Sequence, residues 1–143
     1  MRTHVAIALA ALIWSGSIPA QEVQSPATPD PQKAPAPIAS PVMTKALPDY
    51  PGKEAQVLVI EYPPGAIARL HHHDAHVFIY VLEGALQMGV KGTPVVNLSP
   101  GQSWYEGPHD VHTIGRNASQ TKPARFVAFF LKDAGKAPVL PGE

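Results

Sequence analysis

Four histidines fall within six positions, His71, His72, His73 and His76, and they lead directly into the apolar run Val77-Phe78-Ile79-Tyr80-Val81-Leu82. Neutral imidazole is a ligand suited to Zn, Cu, Fe and Ni alike. On a strand, residues two apart share a face, so His71 and His73 point one way and His72 the other. That pair forms half of a metal site before any distant part of the chain is in place. His76 lies just beyond Asp74-Ala75, where the chain can turn. A second polar cluster runs from Pro100 to His112, and its histidine would have to be delivered by the fold. Histidine runs also occur as surface metal-scavenging tracts. Here the run enters a segment apolar on both faces, which places it near an interior. The two clusters are therefore expected to meet and hold one divalent transition metal, which could be Fe, Ni, Mn, Cu or Zn. Because the ligands must be neutral imidazoles, metal affinity is expected to fall below about pH 6.

Other residues could complete such a site. Glu106 could be a general base if burial raises its pKa, or a partner that orients His112; equally, it could be a solvated carboxylate at a strand end. Arg69 shares parity with His71 and His73 and could reach an anionic substrate. Tyr80 and Trp104, with Tyr105, Phe126, Phe129 and Phe130, could line an aromatic pocket, although strand aromatics are more often plain core. Arg69, Tyr80 and Trp104 are the candidate substrate contacts. Asn117-Ala118-Ser119 has the form of a glycosylation sequon and is read as a turn.

The elements that must position these residues are strands. Ala55–Tyr62, Ile67–His73, Val77–Leu82, Ala85–Lys91, Val95–Leu98, Gln102–Tyr105, Val111–Gly115 and Ala124–Lys132 are short apolar or β-branched runs separated by Gly and Pro turns. That spacing predicts an all-β sandwich or barrel. Pro26, Pro29, Pro31, Pro35, Pro37, Pro41 and Pro48 punctuate the chain before the strands. Proline lacks an amide proton and fixes φ, so residues 21–42 are expected to be an extended, disordered tether. The folded domain is expected over 43–135, with 136–143 a tail.

The chain has 143 residues, zero formal net charge and no cysteine. One domain is the expectation, with no thiolate metal site and no electrostatic basis for nucleic-acid binding. Arg2, the apolar run Val5 to Trp14 and a small residue at Ala20 have the pattern of a cleaved secretory signal over 1–20. The run is too short for a membrane span, which needs roughly 20 apolar residues. The protein is expected to cross an inner membrane and reside in the periplasm.

The sequence resembles the cupin superfamily. Its first motif, G-x5-H-x-H-x(3,4)-E-x6-G, is matched by Gly65, His71, His73 and Gly84. Its second, G-x5-P-x-G-x2-H-x3-N, is matched by Gly101 and His112; Pro108 and Asn117 each fall one place late, and His109 occupies the second glycine slot. Tyr80 to Gly84 and Arg116 to Ser119 are similar to small, exported, quercetinase-like cupins. The resemblance implies a jelly-roll β-barrel, a double-stranded β-helix, with a metal held by three histidines and one glutamate. His71, His73 and His112 carry over. The glutamate slot falls on Val77, so the fourth position is left to His76, then Glu106, then water, in that order. The resemblance also implies a small-molecule ligand and a homodimer formed through the sheets, with Ala124–Lys132 contributing. Two functions follow as expectations: a metal-dependent dioxygenase acting on a small oxygenated or aromatic molecule, or a non-catalytic metal- or ligand-binding module. A metal-free isomerase or sugar-binding cupin is disfavoured by the retained histidines.

Overall fold

The computed structural model describes residues 30 and 32–142. The proposed signal segment, and the tether up to residue 29, lie outside the described residues. The elements are β1 (Ile38–Ala46), β2 (Lys53–Tyr62), β3 (His71–His72), β4 (Ala75–Glu83), β5 (Leu86–Val90), β6 (Val96–Leu98), β7 (Ser103–Glu106), β8 (Val111–Asn117), β9 (Ala124–Asp133) and β10 (Leu140–Pro141). There is no helix among the described residues. Two antiparallel sheets form, ordered β1-β2-β9-β4-β7 and β10-β3-β8-β5-β6.

Alternating polarity determines which side chains go inside. Along β4, Ala75, Val77, Ile79 and Val81 are buried, while His76, Phe78, Tyr80 and Leu82 face out. Along β9, Ala124, Phe126, Ala128 and Phe130 are buried. The second sheet contributes Leu86, Met88 and Leu98, and these side chains form one apolar cluster between the sheets. A one-residue slip would turn each of these sets to solvent, so the interior fixes the register.

Three boundaries differ from expectation. Strand β1 begins at Ile38, inside the stretch expected to be a tether. It is an edge strand whose residues are all exposed, and its pairing with β2 shifts register between Pro41 and Met43. Proline is excluded from central strands but tolerated on edges and at irregularities. The expected strand Ile67–His73 contracts to His71–His72, preceded by an isolated bridge from Ile67 to Arg116. The expected C-terminal tail contains β10, which pairs with β3.

The sequon reading as a turn holds. Asn117 is 2% exposed, and its Nδ2 donates to the carbonyls of Tyr62, Pro63 and Lys122 at 3.0, 3.1 and 2.7 Å. Its Oδ1 accepts from Ser119 N. Gly84 needs its missing side chain: φ is +77°, and a Cβ there would lie 2.5 Å from the Pro123 carbonyl oxygen.

Candidate metal centre

His71 and His112 are directly opposed on β3 and β8. His73 follows β3 where the chain crosses to the other sheet, and its ring packs edge-on to Phe130 with centroids 5.5 Å apart. One ring nitrogen from each of the three histidines lies within 4.8 Å of the others. His73 and His112 are buried, and His71 is partly so.

A β-bulge delivers His112. Gly89 pairs with Ile114 and Val90 with His112, leaving Thr113 as an extra residue on β8. Gly115 and Asn117 are the buried, inward positions of this strand. Strict alternation from Gly115 would turn His112 outward, and the extra residue inverts that parity. The same extra residue accounts for Asn117 falling one place late after His112. In the adjoining loop, His109 takes the glycine slot with φ +75°, a left-handed conformation that histidine adopts more readily than most residues.

The far nitrogen of each imidazole is tied to a backbone carbonyl. His71 Nδ1 donates to Arg69 O at 2.7 Å, His73 Nδ1 to Pro138 O at 2.6 Å, and His112 Nε2 to Ile114 O at 2.6 Å. These bonds fix the tautomers. They leave His71 Nε2, His73 Nε2 and His112 Nδ1 as lone-pair donors to a common centre.

Glu106 closes the set. It pairs with Val77 across β4 and β7, so the carboxylate missing from the Val77 slot is supplied by the residue directly opposite it on the neighbouring strand. Glu106 is 1% exposed, and its Oε2 lies 3.3 Å from His112 Nδ1 and 3.6 Å from His73 Nε2. Neither Glu106 Oε2 nor His112 Nδ1 has a hydrogen-bond partner among the described residues. Buried polar atoms are normally satisfied, and two acceptors facing each other at 3.3 Å repel unless a proton or cation lies between them. Three neutral nitrogens and one carboxylate, with two of these atoms orphaned, fit a divalent transition metal by donor chemistry and by geometry.

Burial sets the electrostatics. Desolvation lowers the His71 pKa, carries His73 down to about 4 and His112 to about 3, and raises Glu106 to about 8, with Asp110 adding to the last. The metal-free site thus holds neutral imidazoles and a protonated carboxyl at pH 7. In the folded protein the neutral-pH proton competitor is Glu106, because burial keeps the imidazoles from charging.

His76, the first choice for the fourth ligand, does not join the cluster. It faces out from β4, and its Nδ1 is 2.8 Å from the Tyr105 hydroxyl. The turn at Asp74 leaves the parity of β4 unshifted, so Val77 points inward and His76 cannot. Tyr80 is 51% exposed on the same outer face, and so is not at the cavity. Trp104 is inward and partly buried. Its ring packs on His112 at 5.5 Å, where it supports the ligand from behind and does not line the cavity. Arg69 does line the cavity mouth.

The cavity over the cluster has a volume of about 540 Å³. Its walls include Leu58, Ile60, Met88, Phe126 and Phe130, its floor His71, His73, His112 and Glu106, and its rim Pro37, Ala39, Arg69 and Pro138 to Pro141. Sequence reasoning missed Tyr62 and the rim. Tyr62 is legible from its parity with Leu58 and Ile60 on β2. The chain ends gave no signal, because their composition reads as linker.

Residues 58–130 match the family described as Cupin domain. No curated protein matches the chain. Among solved structures, a conserved protein with a double-stranded beta-helix domain from Klebsiella pneumoniae subsp. pneumoniae MGH 78578 aligns with TM-score 0.59 and 23% identity over 76% of this chain and 85% of its own. A cupin domain from Bordetella pertussis Tohama I gives TM-score 0.55 and 22% identity over 70% and 97%. DMSP lyase DddQ from Ruegeria pomeroyi DSS-3 gives TM-score 0.54 and 24% identity over 60% of this chain, which spans 42% of that longer protein. At these identities the likeness concerns the fold. With the family match covering half the chain, and with two antiparallel sheets enclosing a histidine cluster, the chain belongs to the cupin family.

Proposed function

We propose that this protein is a metal-dependent enzyme of dioxygenase type that acts on a small oxygenated or aromatic molecule. The observation that carries the reading is the Glu106 carboxylate, set against His73 and His112 at the floor of an apolar cavity. A merely structural site gains nothing from a carboxylate whose burial raises its pKa, nor from an adjoining cavity of substrate size. His71 Nε2, His73 Nε2, His112 Nδ1 and one Glu106 oxygen would hold the metal. When bound, it would supply a Lewis-acidic centre for an oxygen-bearing substrate. The chain's own residues do the rest. The backbone carbonyls of Arg69, Pro138 and Ile114 hold the imidazoles in one tautomer, the apolar walls exclude water, and the Glu106 oxygen not given to the metal would take a proton from a substrate hydroxyl.

Metal-free protein, loaded anaerobically with Fe(II), Ni(II), Mn(II), Cu(II) or Zn(II) one at a time, should consume O2 with at least one member of a flavonol and catechol panel. Stoichiometric zinc with no turnover by any metal would instead support a non-catalytic binding module. The exported, periplasmic location is part of the same proposal. No helix among the described residues is long and apolar enough to cross a membrane. A homodimer is also proposed, through the outer face of the first sheet, where Phe78, Tyr80, Leu82 and Tyr105 are exposed. Sedimentation equilibrium tests it, and a monomer at micromolar concentration would overturn it.

A further inference from the structure

Once His71, His73, His112 and Glu106 are assigned to the metal, the polar side chains left to the cavity are Tyr62 and Arg69. Arg69 is exposed at the mouth. Tyr62 is different: it is 3% exposed at the inward end of β2. Its ring packs on Phe126 with centroids 5.5 Å apart, and its carbonyl accepts from Asn117 Nδ2 at 3.0 Å, so both ring and backbone are held. Tyr62 lines the cavity, and its hydroxyl makes no hydrogen bond among the described residues.

The position of that hydroxyl is informative. Tyr62 Oη and His112 Nε2 each lie 3.1 Å from the point that a Cβ on Gly115 would occupy. Glycine at this position makes the niche in which the phenol sits beside the His112 ring at its Nε2 edge, the Nδ1 edge being the one that faces the metal site. Burial and the nearby Glu106 carboxyl both oppose ionisation of the phenol, so it is a standing hydrogen-bond donor. The remaining walls, Leu58, Ile60, Met88, Phe126 and Phe130, can satisfy no polar atom. A ligand buried among these walls must therefore gather its inner polar atoms at the metal and Tyr62, with Arg69 the polar side chain at the mouth.

We propose that Tyr62 is a substrate-binding residue whose hydroxyl donates to one oxygen of a small, mainly apolar ligand, while a second oxygen on the same or the adjacent carbon reaches the metal. The inference deepens the enzyme reading and rests on its metal site.

The test uses cobalt(II)-loaded protein, whose visible absorption reports ligation, with benzoate, formate and azide as probes. Benzoate offers a ring and two oxygens, formate two oxygens without the ring, and azide a metal ligand with no oxygen. Wild-type protein should bind benzoate at least about tenfold more tightly than formate, from burial of the ring. Tyr62→Phe should weaken benzoate by about tenfold or more, through loss of a hydrogen bond to a charged group, and leave azide within about twofold. Equal benzoate and formate affinity overturns the ligand class. Unchanged benzoate affinity in Tyr62→Phe, or equal loss of benzoate and azide, overturns the role of Tyr62 alone. Failure of the wild-type protein to take up cobalt overturns both this inference and the metal reading.

Discussion

Replacing Glu106 by glutamine should make the metal-free protein more stable and the metal-binding protein worse. Burial raises the Glu106 pKa from 4.5 to about 8. A group whose pKa is raised on folding contributes stability that is fully present below its unfolded pKa and is lost as pH rises to the folded one. At pH 7 the unfolded chain has released this proton and the folded chain has not. The difference is about 1.4 kcal/mol per pH unit, so keeping this carboxyl buried costs the metal-free fold about 3 kcal/mol. Glutamine has the same shape and does not titrate, and its amide can donate toward His112 Nδ1. Urea unfolding of metal-free Glu106→Gln should therefore show a gain of up to about 3 kcal/mol at pH 7. The gain should shrink toward zero below about pH 4, where the carboxyl is mostly protonated in both states of the wild type. The same variant should lose about 100-fold or more in zinc affinity, by removal of the one anionic ligand. A variant less stable than wild type at pH 7, or one that binds zinc unchanged, would refute the reasoning.

Further outcomes follow from the same geometry. His71→Ala should lower zinc affinity by about 100-fold or more, while His72→Ala, whose ring faces away toward Asp74, should change it by less than about threefold; equal losses would indicate an unstructured tract. Gly115→Ala sets a methyl group 3.1 Å from both His112 Nε2 and the Tyr62 hydroxyl and 3.2 Å from Ala68 Cβ, and should cost about 1–3 kcal/mol in urea unfolding together with weaker zinc binding. Ending the chain after Ala137 removes the Pro138 carbonyl that holds His73, together with β10, and should weaken zinc about 10–100-fold by competition titration. Zinc binding at pH 7 should release about one proton, that of Glu106, because His73 and His112 are already neutral; release should vanish well above pH 8, as read with a pH indicator in weak buffer.

The parts of this site that could be read in the sequence are those set by local periodicity. His71 and His73 share a face because strands have a period of two, and the apolar run after them locates the interior. Alternation also orders β4 and β9, and the inward place of Tyr62 follows from Leu58 and Ile60. What escaped is whatever depends on pairing between distant strands. In the sequence Glu106 is only the second candidate for the fourth position, because its proximity to the histidines follows from its register opposite Val77, which no local pattern encodes. His112 points inward because of one extra residue on β8, visible beforehand only as a late asparagine. Proline composition concealed β1 and β10, since an edge strand and a two-residue strand demand little from propensity. His76 failed as a ligand for the converse reason: proximity in sequence to His73 does not outweigh the parity of the strand it begins.

The central claim is that three imidazoles and a carboxylate from opposite sheets share one cation. Anomalous diffraction from crystals of the zinc-loaded protein tests it most directly. The account predicts a single peak at about 2.0–2.2 Å from His71 Nε2, His73 Nε2, His112 Nδ1 and a Glu106 oxygen. A peak at the outer histidines His72, His76 or His109, or one at the cluster with Glu106 turned away and out of reach, would contradict it.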